Sequence, residues 1–235
     1  MPHDFISLEE LAVQLGRDRR EVEKLVQRGR IPGHRIDGTW RFHPAEIRHW
    51  LEQEMREYSP EELAGVESAQ RALSPTTESP VTTLLAPETV CVPLEARTKR
   101  SVLESLIEVA GRTWQIWEPA AVLEACIERE NAMSTAFDFG IAIPHPRNPL
   151  PQALGSSIIA FGRTLSGIPF GGAKRSLTDM FFLVLCRDSR THLAVLARLG
   201  RLLQVEGFVD DLRAAETSLD AYDLICAADQ KLEDE

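Results

Sequence analysis

The chain has 235 residues, 43% of them apolar and 26% charged, with a formal net charge of -10. That is enough for one large or two modest domains of ordinary soluble composition. The acidic balance argues against a protein that coats nucleic acid, although a local basic patch can still bind it. No apolar run approaches the roughly 20 residues that span a bilayer. Nor does Met1-Pro2-His3-Asp4 open a charged-then-apolar signal sequence, so a cytoplasmic location is expected, with no membrane partner. Cys91, Cys126, Cys186 and Cys226 are far apart and form no CxxC pair. Reduced thiols are therefore expected rather than disulfides, and neither a metal nor a cofactor is called for.

Ser7, with Glu10 three residues on, is a capping box for a helix to about Leu15, ended by Gly16. Asp18 caps a second helix from Arg19 to about Arg28, closed by Gly29. Leu8, Leu11, Ala12, Leu15, Val22, Leu25 and Val26 supply the inward face. Asp37-Gly38 between Arg30–Ile36 and Trp40–Phe42 is a strong two-residue hairpin signal. A third helix opens at Pro44, with Ile47, Trp50 and Leu51 on one face. His34, His43 and His49 show no ligand spacing.

Helix, turn, helix, hairpin, helix over residues 1–57 resembles the excisionase/MerR-like winged helix-turn-helix family. The matching residues are Ile6–Ala12, Gly29–Arg35 and Trp40-Arg41-Phe42. The resemblance implies binding to duplex DNA, with the second helix in the major groove and the hairpin as a wing. Arg17, Arg19, Arg20, Lys24, Arg28, Arg30, Arg35 and Arg41 put cations where phosphates and guanine edges would lie. Asp18, Glu21 and Glu23 offset part of that field. One copy would bind weakly, so a homodimer is the expected remedy.

Residues 58–87 are rich in Ser, Thr, Pro and Glu and read as a flexible linker, with one helical turn near Glu61–Ala72. Residues 88–235 then alternate helices and strands. Thr98 caps a helix to about Gly111 with Val102, Leu103, Leu106, Ile107 and Ala110 as its stripe. Pro119 opens another, carrying Val122, Leu123, Cys126 and Ile127. Strands are predicted at 140–143, 157–161 and 180–186, an amphipathic helix from Thr191 to about Val205, and a last helix capped by Ser218. Trp114 and Trp117 read as core. The order predicts an α/β sandwich, a mixed sheet flanked by helices, behind the small mainly helical head.

Within this second domain the run Gly140-Ile141-Ala142-Ile143-Pro144-His145-Pro146-Arg147 stands out. Pro144 and Pro146 restrict Ile143 and His145 to extended backbone, holding an imidazole stiffly at a strand's exit. The run is similar to the phosphorylatable-histidine motif of the mannitol/fructose-class (type 2, nitrogen-regulatory) enzyme IIA domains of the phosphoenolpyruvate sugar phosphotransferase system. Arg129-Glu130, Ser134-Thr135 and Thr191-His192-Leu193 extend the likeness over almost the whole domain. The resemblance implies that His145 accepts a phosphoryl group from the phosphocarrier HPr, and that Arg129 and His192 line its pocket. Neutral imidazole is nucleophilic near pH 7 without a separate base. A guanidinium fork and a helix N-terminus suit the phosphoryl oxygens. Ser134 and Thr135 can add hydroxyl contacts.

The family commonly has a small residue after its histidine, and here Pro146 removes a backbone N–H that could bond phosphate. Arg147 adds a cation beside it. The expectation is a cytoplasmic regulator: a DNA-binding head joined to a phosphoryl carrier that stores a signal, rather than a free-standing catalyst. Two alternatives stay open. One is a phosphotransferase component whose head docks protein partners; the other is a sensor that binds an anion without covalent chemistry.

Overall fold

Ser7 and Glu10 start the first helix as their spacing predicts: the Ser7 hydroxyl accepts from the Glu10 amide at 3.2 Å and the Glu10 carboxylate from the Ser7 amide at 2.7 Å. Helix α1 (Leu8–Leu15) ends at Gly16, whose φ of 62° is the left-handed turn that favours glycine. Asp18 caps α2 (Arg19–Gln27) by accepting from the Arg20 amide. Strands β1 (His34–Ile36) and β2 (Thr39–Arg41) pair antiparallel across Asp37-Gly38, whose φ values of 50° and 77° make the both-positive turn expected of that dipeptide. Helix α3 (Pro44–Glu54) follows, with the His43 ring accepting from the Ala45 amide. Leu11, Leu15, Val22, Ile31, Phe42, Ile47 and Leu51 are buried between these elements.

The computed structural model describes residues 5–72, 81–172 and 176–234. The reading of Met1–Asp4 and the part of the expected linker at 73–80 lie outside them. By backbone contacts the chain divides into two units, residues 1–77 with 193–201, and residues 78–192 with 202–235.

Residues 60–72 correct the expected flexible linker and its one helical turn. They form α4 (Pro60–Ala72), a full helix of the first unit that buries Leu63, Val66, Glu67 and Gln70. It packs on the end of α1 closely enough that a Cβ on Gly16 would lie 2.7 Å from the Gly65 carbonyl oxygen. Gln70 Nε2 donates to the Gln14 carbonyl at 2.7 Å, and Arg17 pairs with Glu62 at 3.1 Å. The helix lacks an apolar stripe in the sequence because its inner face is built from two aliphatic and two polar residues. Glu67 is the notable one. It is 2% exposed and meets Arg198 at 3.2 Å, Arg201 at 2.8 Å and Arg71 at 3.4 Å, all within this unit. Arg198 and Arg201 come from α7 (Ser189–Leu202).

The second unit is built on a four-stranded sheet of order β3-β5-β6-β4. Strands β3 (Leu85–Cys91) and β5 (Ile158–Pro169) are parallel, β5 and β6 (Leu177–Leu185) antiparallel, and β6 and β4 (Ile141–Ala142) parallel. This is the mixed sheet predicted. Ile158, Ala160, Phe181, Leu183 and Leu185 alternate onto the face shared with α5 (Lys99–Gly111) and α6 (Pro119–Ala132). Helix α9 (Ser218–Glu233) packs along β3, and α8 (Phe208–Ala214) packs on α9.

Several boundaries differ from expectation for identifiable reasons. Strand β3 begins inside the expected linker, where Pro87 argues against a strand; it sits on the sheet edge with a register irregularity between Leu85 and Val90, where proline is tolerated. Strand β5 runs on through Gly162, which reads as a breaker but is needed for space: a Cβ there would lie 2.8 Å from Leu94 Cδ2. Helix α7 begins at Ser189 rather than Thr191 and ends at Leu202, and α8 is an addition to the predicted elements. The last helix is capped by Thr217, not Ser218, whose hydroxyl instead accepts from the Val92 amide. Trp114 and Trp117, expected in the core, are 87% and 61% exposed.

Removing one partner of a buried charge cluster leaves the others uncompensated and destabilises by about 3–5 kcal/mol. Glu67→Ala is therefore expected to lower the unfolding free energy of the full chain, read from urea denaturation, by that amount, and Glu62→Ala, an exposed partner of Arg17, by under about 1 kcal/mol.

Candidate functional site

Strand β4 is two residues long, so neighbours must hold it. The Phe137 amide donates to the Ile141 carbonyl at 2.7 Å, the Ile143 amide to the Thr135 carbonyl at 3.2 Å, and the Val184 amide to the Pro144 carbonyl at 2.9 Å. Upstream, Phe139 has a φ of 65° and Gly140 one of 80°. Arg213 fixes that turn, donating to the Phe139 carbonyl and to Asp179 at 2.9 Å. The chain thus enters and leaves β4 on fixed rails, and His145 follows directly on the last of these contacts.

His145 is 5% exposed, and its Nδ1 lies 2.7 Å from the Ile143 carbonyl oxygen. A carbonyl only accepts, so Nδ1 carries a proton, and in the neutral ring the nucleophilic lone pair falls on Nε2. The His192 ring lies beside it, centroids 5.0 Å apart and planes tilted by 60°. His192 is 4% exposed, in the first turn of α7. Asp188 caps that turn by accepting from the Arg190 amide at 3.0 Å and from the Thr191 amide and hydroxyl at 2.9 and 2.7 Å. The two histidines predicted to work together are brought together.

Arg129 lies in the last turn of α6, 2% exposed, with Nη1 donating to the Met133 carbonyl at 2.8 Å. Its burial is unlike that of an arginine offsetting a helix dipole from the surface. The hydroxyls of Ser134 and Thr135 are engaged within the protein: Ser134 donates to the Phe170 carbonyl at 2.9 Å and Thr135 to Glu130 at 2.6 Å. Arg147 is exposed and Pro146 buried. Glu130 belongs to the motif, yet sequence reasoning assigns it no role. The signal that could have found it is an acid in a helix's last turn, where the macrodipole disfavours an anion.

In the head, Arg19, Arg20, Lys24 and Arg28 are exposed on or beside α2, Arg35 is exposed on the hairpin, and Arg41 there is half-buried. Arg17 pairs with Glu21 at 3.0 Å, and Arg19 with Glu9 at 2.7 Å and Glu23 at 3.5 Å. The Arg19 guanidinium holds the Glu9 carboxyl below its usual range. Arg35 lies over the Trp40 ring at 5.7 Å.

Solved structures place the second unit in a class. The nitrogen regulatory protein IIA-Ntr of Neisseria meningitidis matches with TM-score 0.55 and 20% identity, covering 61% of this chain and 97% of that one. The mannitol IIA of Escherichia coli matches with TM-score 0.53 and 19% identity, over 60% and 97%. At those identities the likeness is one of fold, the phosphotransferase IIA fold. The family model for the phosphoenolpyruvate-dependent sugar phosphotransferase system, EIIA 2, matches residues 83–227, and the chain belongs to that family. A nitrogen regulatory protein of Bradyrhizobium diazoefficiens is 32% identical over 150 residues, 62% of this chain and 94% of that protein. The fructose-specific EIIABC component of Bacillus subtilis is 29% identical over 147 residues, of which the chain spans only 23% of the length. Residues 5–55 match the model of a helix-turn-helix domain. Among the described residues no helix is long and apolar enough to cross a membrane.

Burial pushes the Cys126 thiol up to about 12 and raises Cys186, whose carbonyl receives the Leu150 amide from the loop after His145. Below those values the thiolate, the reactive form, is nearly absent. Iodoacetamide at pH 8 is expected to leave both unlabelled in the native chain while modifying half-buried Cys91 and Cys226, and to reach all four in 6 M guanidinium, as read by peptide mass.

Proposed function

We propose that the protein is a phosphorylation-controlled regulator in which His145 accepts a phosphoryl group from an HPr-type phosphocarrier and the helix-turn-helix head binds duplex DNA. The observation that carries the first part is the His145 ring fixed with Nδ1 on a carbonyl, beside His192, in a chain of the EIIA 2 family. Nε2 attacks phosphorus, the N–P bond of the donor phosphohistidine breaks, and its electron pair returns to the donor ring. The Nδ1 proton stays on His145, held by the Ile143 carbonyl, and leaves the phosphorylated ring cationic beside its dianionic phosphoryl group. Arg129 and His192 are the pocket's cationic and hydrogen-bonding donors for the oxygens that spread charge in a loose transfer. The relatives named for nitrogen regulation, together with the helix-turn-helix match, favour a regulatory role over sugar transport.

The second part rests on the exposed cations of α2 and the wing. The Arg19 ion pair with Glu9 is exposed and worth little, so that guanidinium can exchange a carboxylate for a phosphate, whereas half-buried Arg17 is held by Glu21 and Glu62. Phosphorylation adds roughly -1.5 to -2 charge at the His145 pocket, and a cytoplasmic homodimer on a two-fold operator is the arrangement that would turn that change into occupancy.

With phosphoenolpyruvate, enzyme I and HPr, the full chain is expected to gain one phosphoryl mass that is acid-labile, and His145→Ala to gain none while keeping its circular dichroism. Losing one charge-assisted contact costs about 1.5–3 kcal/mol, so Arg129→Ala should slow labelling by roughly one to two orders of magnitude. Absence of the adduct in the natural chain would favour an anion sensor without covalent chemistry.

Fluorescence anisotropy with duplexes from around the gene is expected to show affinity falling steeply with salt, each neutralised phosphate contributing about 0.9 to the log–log slope. Replacing Arg19, Arg20 and Arg41 together by alanine should lower slope and affinity in the full chain. Salt-insensitive or absent binding would leave the head as a protein-docking module.

A further inference from the structure

Glu130 presents a second feature of the site. It lies in the last turn of α6, and its side chain is 1% exposed. A carboxylate here is disfavoured twice, by burial and by the negative end of the helix dipole. What compensates it is a set of donors on both oxygens. Lys99 Nζ reaches Oε1 at 3.2 Å. The Thr135 amide lies 3.2 Å from Oε1 and 3.0 Å from Oε2, and the Thr135 hydroxyl donates to Oε2 at 2.6 Å. Thr135 is itself 1% exposed.

From Thr135 the contacts continue in one direction. Its carbonyl accepts from the Ile143 amide at 3.2 Å, and the Ile143 carbonyl accepts from His145 Nδ1 at 2.7 Å. An unbroken run of hydrogen bonds, Lys99 to Glu130 to Thr135 to Ile143 to His145, therefore ends on the atom that decides which ring nitrogen is nucleophilic. We infer that Glu130 is a positioning residue for His145: it clamps Thr135, Thr135 sets the height of Ile143, and the Ile143 carbonyl fixes the tautomer and orientation of the ring. Lys99 is the counter-charge of the clamp. This rests on the reading of His145 as the phosphoryl acceptor.

The chemistry of the clamp makes substitution informative. Glutamine has nearly the shape of glutamate, but one of its two ends becomes an NH2 donor. Either end already faces donors, Lys99 and the Thr135 amide on one side and the Thr135 amide and hydroxyl on the other. Glu130→Gln therefore loosens Thr135 without leaving a cavity. Thr135→Val removes the hydroxyl bond alone, and Thr135→Ser restores it.

The test is made on the full chain with two readouts. The first is the 15N spectrum of the histidine rings, in which natural His145 is expected to show a protonated Nδ1 and a bare Nε2. The second is the rate of labelling by phospho-HPr, measured per folded molecule. In Glu130→Gln and Thr135→Val the His145 resonances should move toward a mixture of tautomers and labelling should slow about 10–100-fold, as for a reacting group displaced by a fraction of an ångström to an ångström. Thr135→Ser should recover both. If either variant melts at a lower temperature but keeps the natural ring resonances and rate, Glu130 is structural only and the inference is overturned. If Glu130→Gln fails to fold, Thr135→Val and Thr135→Ser decide alone. Should the natural chain take up no phosphoryl group, the acceptor reading fails, while the ring spectra of the variants still decide whether Glu130 positions His145.

Discussion

Everything at the candidate site depends on a parallel strand only two residues long. Ile141 and Ala142 cannot fix their own register against β6, because so short a ladder forms too few bonds to offset the entropy of ordering it. The strand is held instead by contacts just outside it, from Phe137, Thr135 and Val184, and by Arg213 on the preceding turn. They immobilise the backbone on both sides of β4, up to the residue before His145. The imidazole takes its Nδ1 contact from this backbone, with the His192 ring beside it. That places the burden of precision on the segment 129–137, which carries no nucleophile of its own.

Buried charge is handled in the same manner in both units. Glu67 in the first and Glu130 in the second are carboxylates with almost no solvent contact, each surrounded by donors from separate elements. Such groups contribute little net stability when complete but are costly to leave incomplete, so they specify one arrangement against near alternatives. Exposed cations of the head obey a different rule. The pairing of Arg19 with Glu9 is exposed on both sides and therefore weak and replaceable.

Local signals are legible in the sequence, and contextual ones are not. The capping box at Ser7, the Asp37-Gly38 turn, the cap at Thr98 and the proline at 119 each act within four residues, and each stands where its chemistry puts it. The mixed sheet follows from the order of helices and strands, and the meeting of His145 with His192 from the family likeness. Strand β3 is hidden because a proline is acceptable only at an edge, which the sequence does not announce. Helix α4 is hidden because two of its four buried residues are polar and find partners on other elements. Trp114 and Trp117 mislead because size suggests burial, yet the loop between α5 and α6 leaves both largely exposed. Glu130 carries one local signal, an acid in a helix's last turn, but its counter-charge Lys99 lies on another helix.

The near-complete burial of the His145 and His192 rings also sets how they meet anything outside the protein. Rings with 5% and 4% of their surface exposed are reached by a large reagent only in molecules that have opened locally, so their reactivity toward it scales with that open population. On the proposed reading of His145 as the acceptor, one closure then slows both the arrival of a phosphoryl group and its loss to water.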